Sequence, residues 1–129
     1  MNYRKKHGEI KGLKINKYMK VEDVVKQLSL TVCCGKQGLE REVTGGYISD
    51  LLSDVMGNAK EGQIWITLQT HKNIMAIASL KEVAAIILVK SRQPDKDTTE
   101  TSNIEQIPIL STPLDTFEIA GKLHKLIKS

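Results

Sequence analysis

Apolar and polar positions alternate between a helical and a strand period along most of this chain. Val21, Val24, Val25 and Leu28 fall at helical spacing, with Glu22 and Asp23 in the first turn, so a helix is predicted there. Thr31-Val32-Cys33-Cys34 is a short β-rich run closed by Gly35. Val43-Thr44 and Tyr47-Ile48 read as one strand running through Gly45-Gly46. Glycines inside a strand predict a bulge, or a close approach of another backbone or a ligand. Ser49 and Asp50 then offer oxygens to cap a helix carrying Leu51, Leu52 and Val55, which Gly57-Asn58 ends.

A turn at Lys60-Glu61-Gly62 leads into a strand from Gln63 to Leu68. Thr70-His71 precedes a helix from Lys72 to Leu80, with Ile74, Ile77 and Ala78 as its apolar stripe. Ala84 to Val89 is continuously apolar, the mark of a strand covered on both faces. Residues 95–104, after Pro94, are polar and only weakly helical, and Ile107 to Leu110 is a further apolar strand. Thr112 supplies a cap, Pro113 the first helical position and Asp115 a first-turn acid. Phe117, Ala120, Leu123, Leu126 and Ile127 are expected on the buried side of that last helix. Strands alternating with helices predict the α/β class, with a largely parallel sheet.

Composition adds three points. A chain of 129 residues, 40% hydrophobic and 26% charged, reads as one globular domain. Its net charge of +4 is uneven: Arg4 and Lys5, Lys6, Lys11, Lys14, Lys17 and Lys20 face Glu9 alone, making the first twenty residues +6 and leaving −2 for the rest. Residues 1–18 are therefore read as a basic extension and 19–129 as the domain. The high pI belongs to the extension, so no nucleic-acid partner is expected. Cys33 and Cys34 are adjacent and would point to opposite faces of a strand, so free thiols are expected rather than a disulfide or a zinc site. With no apolar run of membrane-spanning length and no secretory leader, the expected place is the cytoplasm, away from membranes.

Three predicted strands feed directly into helix starts, at Ser49-Asp50, Thr70-His71 and Ser111-Thr112. In an open parallel sheet such strand ends share one edge, where helix dipoles favour anions and ligands collect. Lys90-Ser91-Arg92 would add cations to that rim. The candidate site is thus Ser49, Asp50, Thr70, His71, Arg92, Ser111 and Thr112, and the candidate ligand a phosphate-bearing small molecule such as an adenine nucleotide. Each of these residues also suits an ordinary loop or cap, His71 included. His7 and His124 read as structural, and Asp50 and Asp54, four apart, as solvated acids. The catalytic templates fail: no phosphate-binding G-x-x-x-x-G-K-[ST] loop, no G-x-S-x-G and no H-E-x-x-H occurs, so no enzyme and no metal are expected.

Glu40-Arg41-x-x-Thr44-Gly45-Gly46 resembles the signature of the DRTGG domain family, with Glu40 where the family name has Asp. The likeness continues through Ser49 to Ala59, Gly62 to Thr67, Gln69-Thr70-His71 and Ile107 to Pro113, and spans roughly Met19 to the C-terminus. It implies a three-layer α/β/α domain with a small, mostly parallel or mixed sheet, similar to the N-terminal domain of HPr kinase/phosphorylase and, more remotely, of Mur ligases. It also implies a regulatory or dimerising role beside enzymes such as phosphotransacetylases and CBS-domain pyrophosphatases. The family it resembles also has small stand-alone versions in anaerobic bacteria and archaea, sometimes beside iron-only hydrogenase genes. A homodimer is expected, with Gly45, Gly46 and Tyr47 at the dimer contact or ligand-facing edge. The alternative is a ligand-free adaptor docking on an enzyme of redox or central metabolism.

Overall fold

The apolar run around Ile86 forms the middle of a sheet, and everything else is layered on it. The computed structural model describes residues 19–128, together with the paired backbones of two short strands, β1 (Glu9–Ile10) and β2 (Leu13–Lys14). The reading of residues 1–18 as a basic extension otherwise lies outside the described residues. From Met19 the order is α1 (Val21–Leu28), β3 (Thr31–Cys34), β4 (Gly45–Ile48), α2 (Leu52–Asn58), β5 (Gln63–Thr67), α3 (Asn73–Lys81), β6 (Ala85–Leu88), α4 (Lys96–Glu105), β7 (Ile109–Ser111) and α5 (Thr116–Lys128). A single-turn helix, Lys36–Gly38, joins β3 to the signature segment.

The sheet order is β3-β7-β6-β5-β4. β4, β5, β6 and β7 run parallel, and β3 joins β7 antiparallel. Period-two alternation divides the sheet side chains between two cores. Ile64, Ile66, Ala85, Ile87 and Leu110 meet Val21 and Val24 of α1 and Ile119 and Leu123 of α5. On the other face Trp65, Ile86, Leu88 and Ile109 meet Val55 of α2 and Ile74, Met75 and Ala78 of α3. The protein is thus α/β with a mixed, mostly parallel sheet between helical layers. No helix among the described residues is long and apolar enough to cross a membrane.

Several local expectations are corrected. The glycine pair makes no bulge: β4 begins at Gly45 and keeps regular register with β5, Gly45 opposite Gln63 and Gly46 opposite Ile64. The sheet's irregularity lies in β3, between Val32 and Cys34. Gly46 does mark a close approach, because a Cβ there would sit 3.1 Å from Leu123 Cδ2 of α5. Ser49 and Asp50 do not cap α2, whose N-cap is Leu51, and Lys72 rather than Thr70 or His71 precedes α3. The last helix starts at Thr116, after Pro113, and Asp115 caps it by accepting the Glu118 amide at 2.9 Å. Phe117, expected in the core, is 89% exposed, because Ile119 and Leu123 carry the buried stripe. The last strand runs Ile109–Ser111, two residues later at its start than Ile107. α4 forms although polar, since its buried Thr98 and Ser102 hydroxyls are satisfied by the Thr70 and Ile107 carbonyls at 2.8 and 2.7 Å.

Candidate functional site

Because β4 to β7 are parallel, their C-terminal ends share one edge and bring the predicted site residues to it. Ser49 and Asp50 follow β4, Thr70 and His71 follow β5, Arg92 follows β6, and Ser111 and Thr112 close β7. What these groups do there is mostly local. Asp50 Oδ1 accepts the Thr67 hydroxyl and the Leu68 amide, both at 2.8 Å, tying the end of β4 to that of β5. Ser49 Oγ accepts the Leu51 amide at 3.1 Å, and Thr112 Oγ1 the Leu114 amide at 3.2 Å. The Thr70 carbonyl accepts the Asp95 amide at 3.1 Å, and His71 Nδ1 lies 2.9 Å from Asp95 Oδ2. Lys90 and Ser91 both take left-handed backbone conformations, and their amides donate to the Leu114 and Thr112 carbonyls at 2.9 and 2.8 Å. Many loop amides at this edge are therefore spent within the protein. The Lys90 and Arg92 side chains make no hydrogen bond or ion pair among the described residues, and the Asp50 carboxylate at the same edge is bonded to neutral donors and pairs with no cation among them. Ser111 and Thr112 are buried, while Asp50, His71 and Arg92 are exposed.

The signature residues act as stitches. Arg41 donates from Nε to the Gln106 carbonyl at 2.8 Å and from its guanidinium terminus to the Glu105 carbonyl at 3.3 Å, a cation at the C-terminal end of α4. Glu40 pairs with Lys20 at 2.9 Å on the surface. Thr44 donates to the Glu61 carbonyl at 3.0 Å, and its side chain lies over Gly62, where a Cβ would meet Thr44 Cγ2 at 2.7 Å. Gly45 and Gly46, with Thr44, line a cleft of about 820 Å³ between β4 and α5. Its walls are mainly apolar, with His124 and Lys128 at the polar margin. A second cleft of about 550 Å³ lies between the end of α1 and α5, lined by Thr112, Lys122 and Lys125 among others. Of the strand-end residues, Thr112 lines the second cleft and none lines the first.

One polar cluster was not legible in the sequence. The Tyr47 hydroxyl lies 2.9 Å from both Asp54 carboxylate oxygens, and Asn58 Nδ2 donates to the same carboxylate at 3.0 Å. The partners sit on β4 and α2, and the i, i+4 spacing of Asp54 and Asn58 was the available signal. Hydrogen bonding from Ser49 and then Tyr47 holds the Asp54 carboxyl below the ordinary carboxylate range, and the bond to Asp54 raises the Tyr47 phenol. A depressed carboxyl stabilises the fold fully above its unfolded pKa of ~3.9 and loses that contribution as pH falls through the folded value. The thermal midpoint is therefore expected to drop below about pH 4, and Tyr47→Phe to flatten that drop. Parallel profiles for the two proteins would refute the assignment.

Among the described residues no group of His, Cys, Asp and Glu could hold a metal ion. Cys33 is half-buried and Cys34 buried, both free, and burial pushes the Cys33 thiol upward. Comparison with known proteins bears on what the edge and the cleft serve. No curated protein matches the chain. Its fold is similar to a crystal structure of the CBS and DRTGG domains of the regulatory region of Clostridium perfringens pyrophosphatase, complexed with the activator diadenosine tetraphosphate. That likeness has a TM-score of 0.62 at 18% identity and covers 81% of this chain and 45% of that one. The chain thus spans about half the length of that relative, and the likeness is one of fold. The family model of the DRTGG domain matches residues 23–126, and the chain belongs to the DRTGG domain family.

Proposed function

We propose that this protein is a non-catalytic regulatory module that binds a nucleotide or another phosphate-bearing metabolite and self-associates. The observation that carries the ligand is the strand-end edge, where Ser49, Thr70, His71, Arg92, Ser111 and Thr112 gather at the place where open α/β sheets bind ligands. Since many loop amides there are spent internally, the anion is held by side chains, the Arg92 cation first, with His71 from the neighbouring strand end as a hydrogen-bonding group. Asp50 serves as a positioning residue that fixes the loop after β5. The structural neighbour's adenine dinucleotide activator supports the choice of ligand class. Self-association is supported by the Gly45-Gly46-Tyr47 edge, which pairs with no strand besides β5 among the described residues.

A thermal-shift screen tests this with adenine, guanine and uridine nucleotides, diadenosine tetraphosphate, acetyl phosphate and pyrophosphate. A ligand at a hundred times its Kd stabilises by about 2.7 kcal/mol, a shift on the order of 10 °C for a domain of this size. Alanine at both His71 and Arg92 is expected to remove that shift. A flat screen overturns the sensor reading. It would favour the second reading, a ligand-free adaptor docking on an enzyme, which the exposed apolar cleft beside Phe117 also supports.

A further inference from the structure

We propose that the cleft between the end of α1 and α5 binds a small organic dianion, an apolar body carrying a group of the phosphate-monoester type. This site is separate from the strand-end ligand proposed above. Thr112 alone is common to both, and its hydroxyl already accepts the Leu114 amide at 3.2 Å. The cleft follows from the topology. β3 pairs with β7, Thr31 opposite Ser111, so the turn that leaves α1 lies alongside the segment that leads into α5. Ser29 makes that turn in a left-handed conformation, at φ 55°. The space left between them is about 550 Å³, within the ~300–1,000 Å³ usual for small-molecule sites.

The lining offers an apolar surface and a concentrated positive charge. Leu28, Pro113, Leu114 and Leu126 provide the apolar walls. Lys122 and Lys125, three apart and so on one face of α5, bring two cations to the same opening. No acid lines the cleft. Neither ammonium makes a hydrogen bond or ion pair among the described residues, so Glu118, one turn before Lys122, leaves it unpaired. The last carbonyls of α1, which a lysine could cap, are bonded by neither of them. Two like charges this close repel each other, a cost that a bound dianion turns into attraction. Lysine holds an anion as a point charge without demanding planar bidentate geometry, which suits a tetrahedral group with two negative charges. Gln27 and the Ser29 hydroxyl add neutral hydrogen-bonding groups to the same lining.

Titration of the isotope-labelled full chain with phenyl phosphate, read by backbone amide chemical shifts, tests this. Shifts are expected at Gln27 to Ser29 and at Lys122 to Leu126, and none from phenol, which has the ring without the charge. Lys122→Glu with Lys125→Glu, at two exposed positions, is expected to raise the Kd about tenfold or more. Alanine at both His71 and Arg92 is expected to leave that Kd unchanged. Shifts confined to the strand-end loops and abolished by the His71 and Arg92 variant overturn this site and leave the ligand proposed above standing. No shift in α1 and α5, equal shifts from phenol, or a Kd indifferent to the lysine reversals overturns it too.

Discussion

Trp65→Ala is expected to remove ~3–5 kcal/mol of stability, a large share of the roughly 5–15 kcal/mol available to a small domain. The side chain is fully buried in β5, within the cluster that Val55, Ile74, Met75, Ile86 and Ile109 complete. Alanine leaves a cavity in a sheet packed on both faces, with few ways to collapse, because the flanking strands are held in register on either side. The indole also donates from Nε1 to the Ser49 carbonyl at 2.8 Å, so the ring anchors the loop that carries Ser49 and Asp50. Trp65→Phe keeps most of the volume and loses that bond, and ~1–2 kcal/mol is expected for it. Urea unfolding followed by circular dichroism gives both values, since this is the chain's single tryptophan and its fluorescence vanishes with it. An alanine variant within about 0.5 kcal/mol of wild type would show that the core on that face is not the continuous one described.

Gly35→Ala is expected to cost about 3 kcal/mol, from two independent causes. The backbone is left-handed, at φ 71°, which alanine resists. A Cβ would also lie 2.5 Å from the Ile107 carbonyl oxygen and 2.6 Å from Ser102 Oγ. Those two atoms are hydrogen-bonded to each other at 2.7 Å, and the Gly35 amide donates to Asn103 Oδ1 at 2.7 Å, so neither neighbour can move freely. Gly57→Ala is the matched control. No atom lies within 4 Å of its added Cβ, and the residue sits inside α2. It is expected to stabilise by about 0.5–1 kcal/mol. Thermal midpoints moving in opposite directions would confirm both accounts, and movement in the same direction would refute one.

The apolar run Ala84–Val89 was enough to place the central strand, because full burial on two faces leaves no room for alternation. The helical stripes of α1 and α3 were equally legible. Their spacing determines which face is buried, whatever the partner is. What the sequence left open were choices made across the fold. Asp50 could cap the next helix or turn back to Thr67, and only the nearness of β5 decides for Thr67. Phe117 has the spacing of a buried residue, but so does a position flanking the stripe, and α5 buries Ile119 and Leu123 instead. The strand-end edge was legible as a place in the fold rather than as chemistry. The parallel order collects the strand ends, whereas the use of their amides depends on loops from four different strands.

The antiparallel junction of β3 with β7 has a consequence for how the chain closes on itself. It places Thr31 opposite Ser111, whereas the parallel junctions join nearer segments, Gly45 with Gln63 and Ile64 with Ala85. The enclosed loop is roughly four times as long, two doublings, which costs on the order of 1.2 kcal/mol more in chain entropy. β3 also reaches its partner across nearly the whole domain, so α1 and β3 wait for β7 to be in place. Chain entropy therefore ranks this N-terminal unit as the last to dock and the first to detach. The β4–β5–β6 ladder, made of neighbouring segments, can assemble without it.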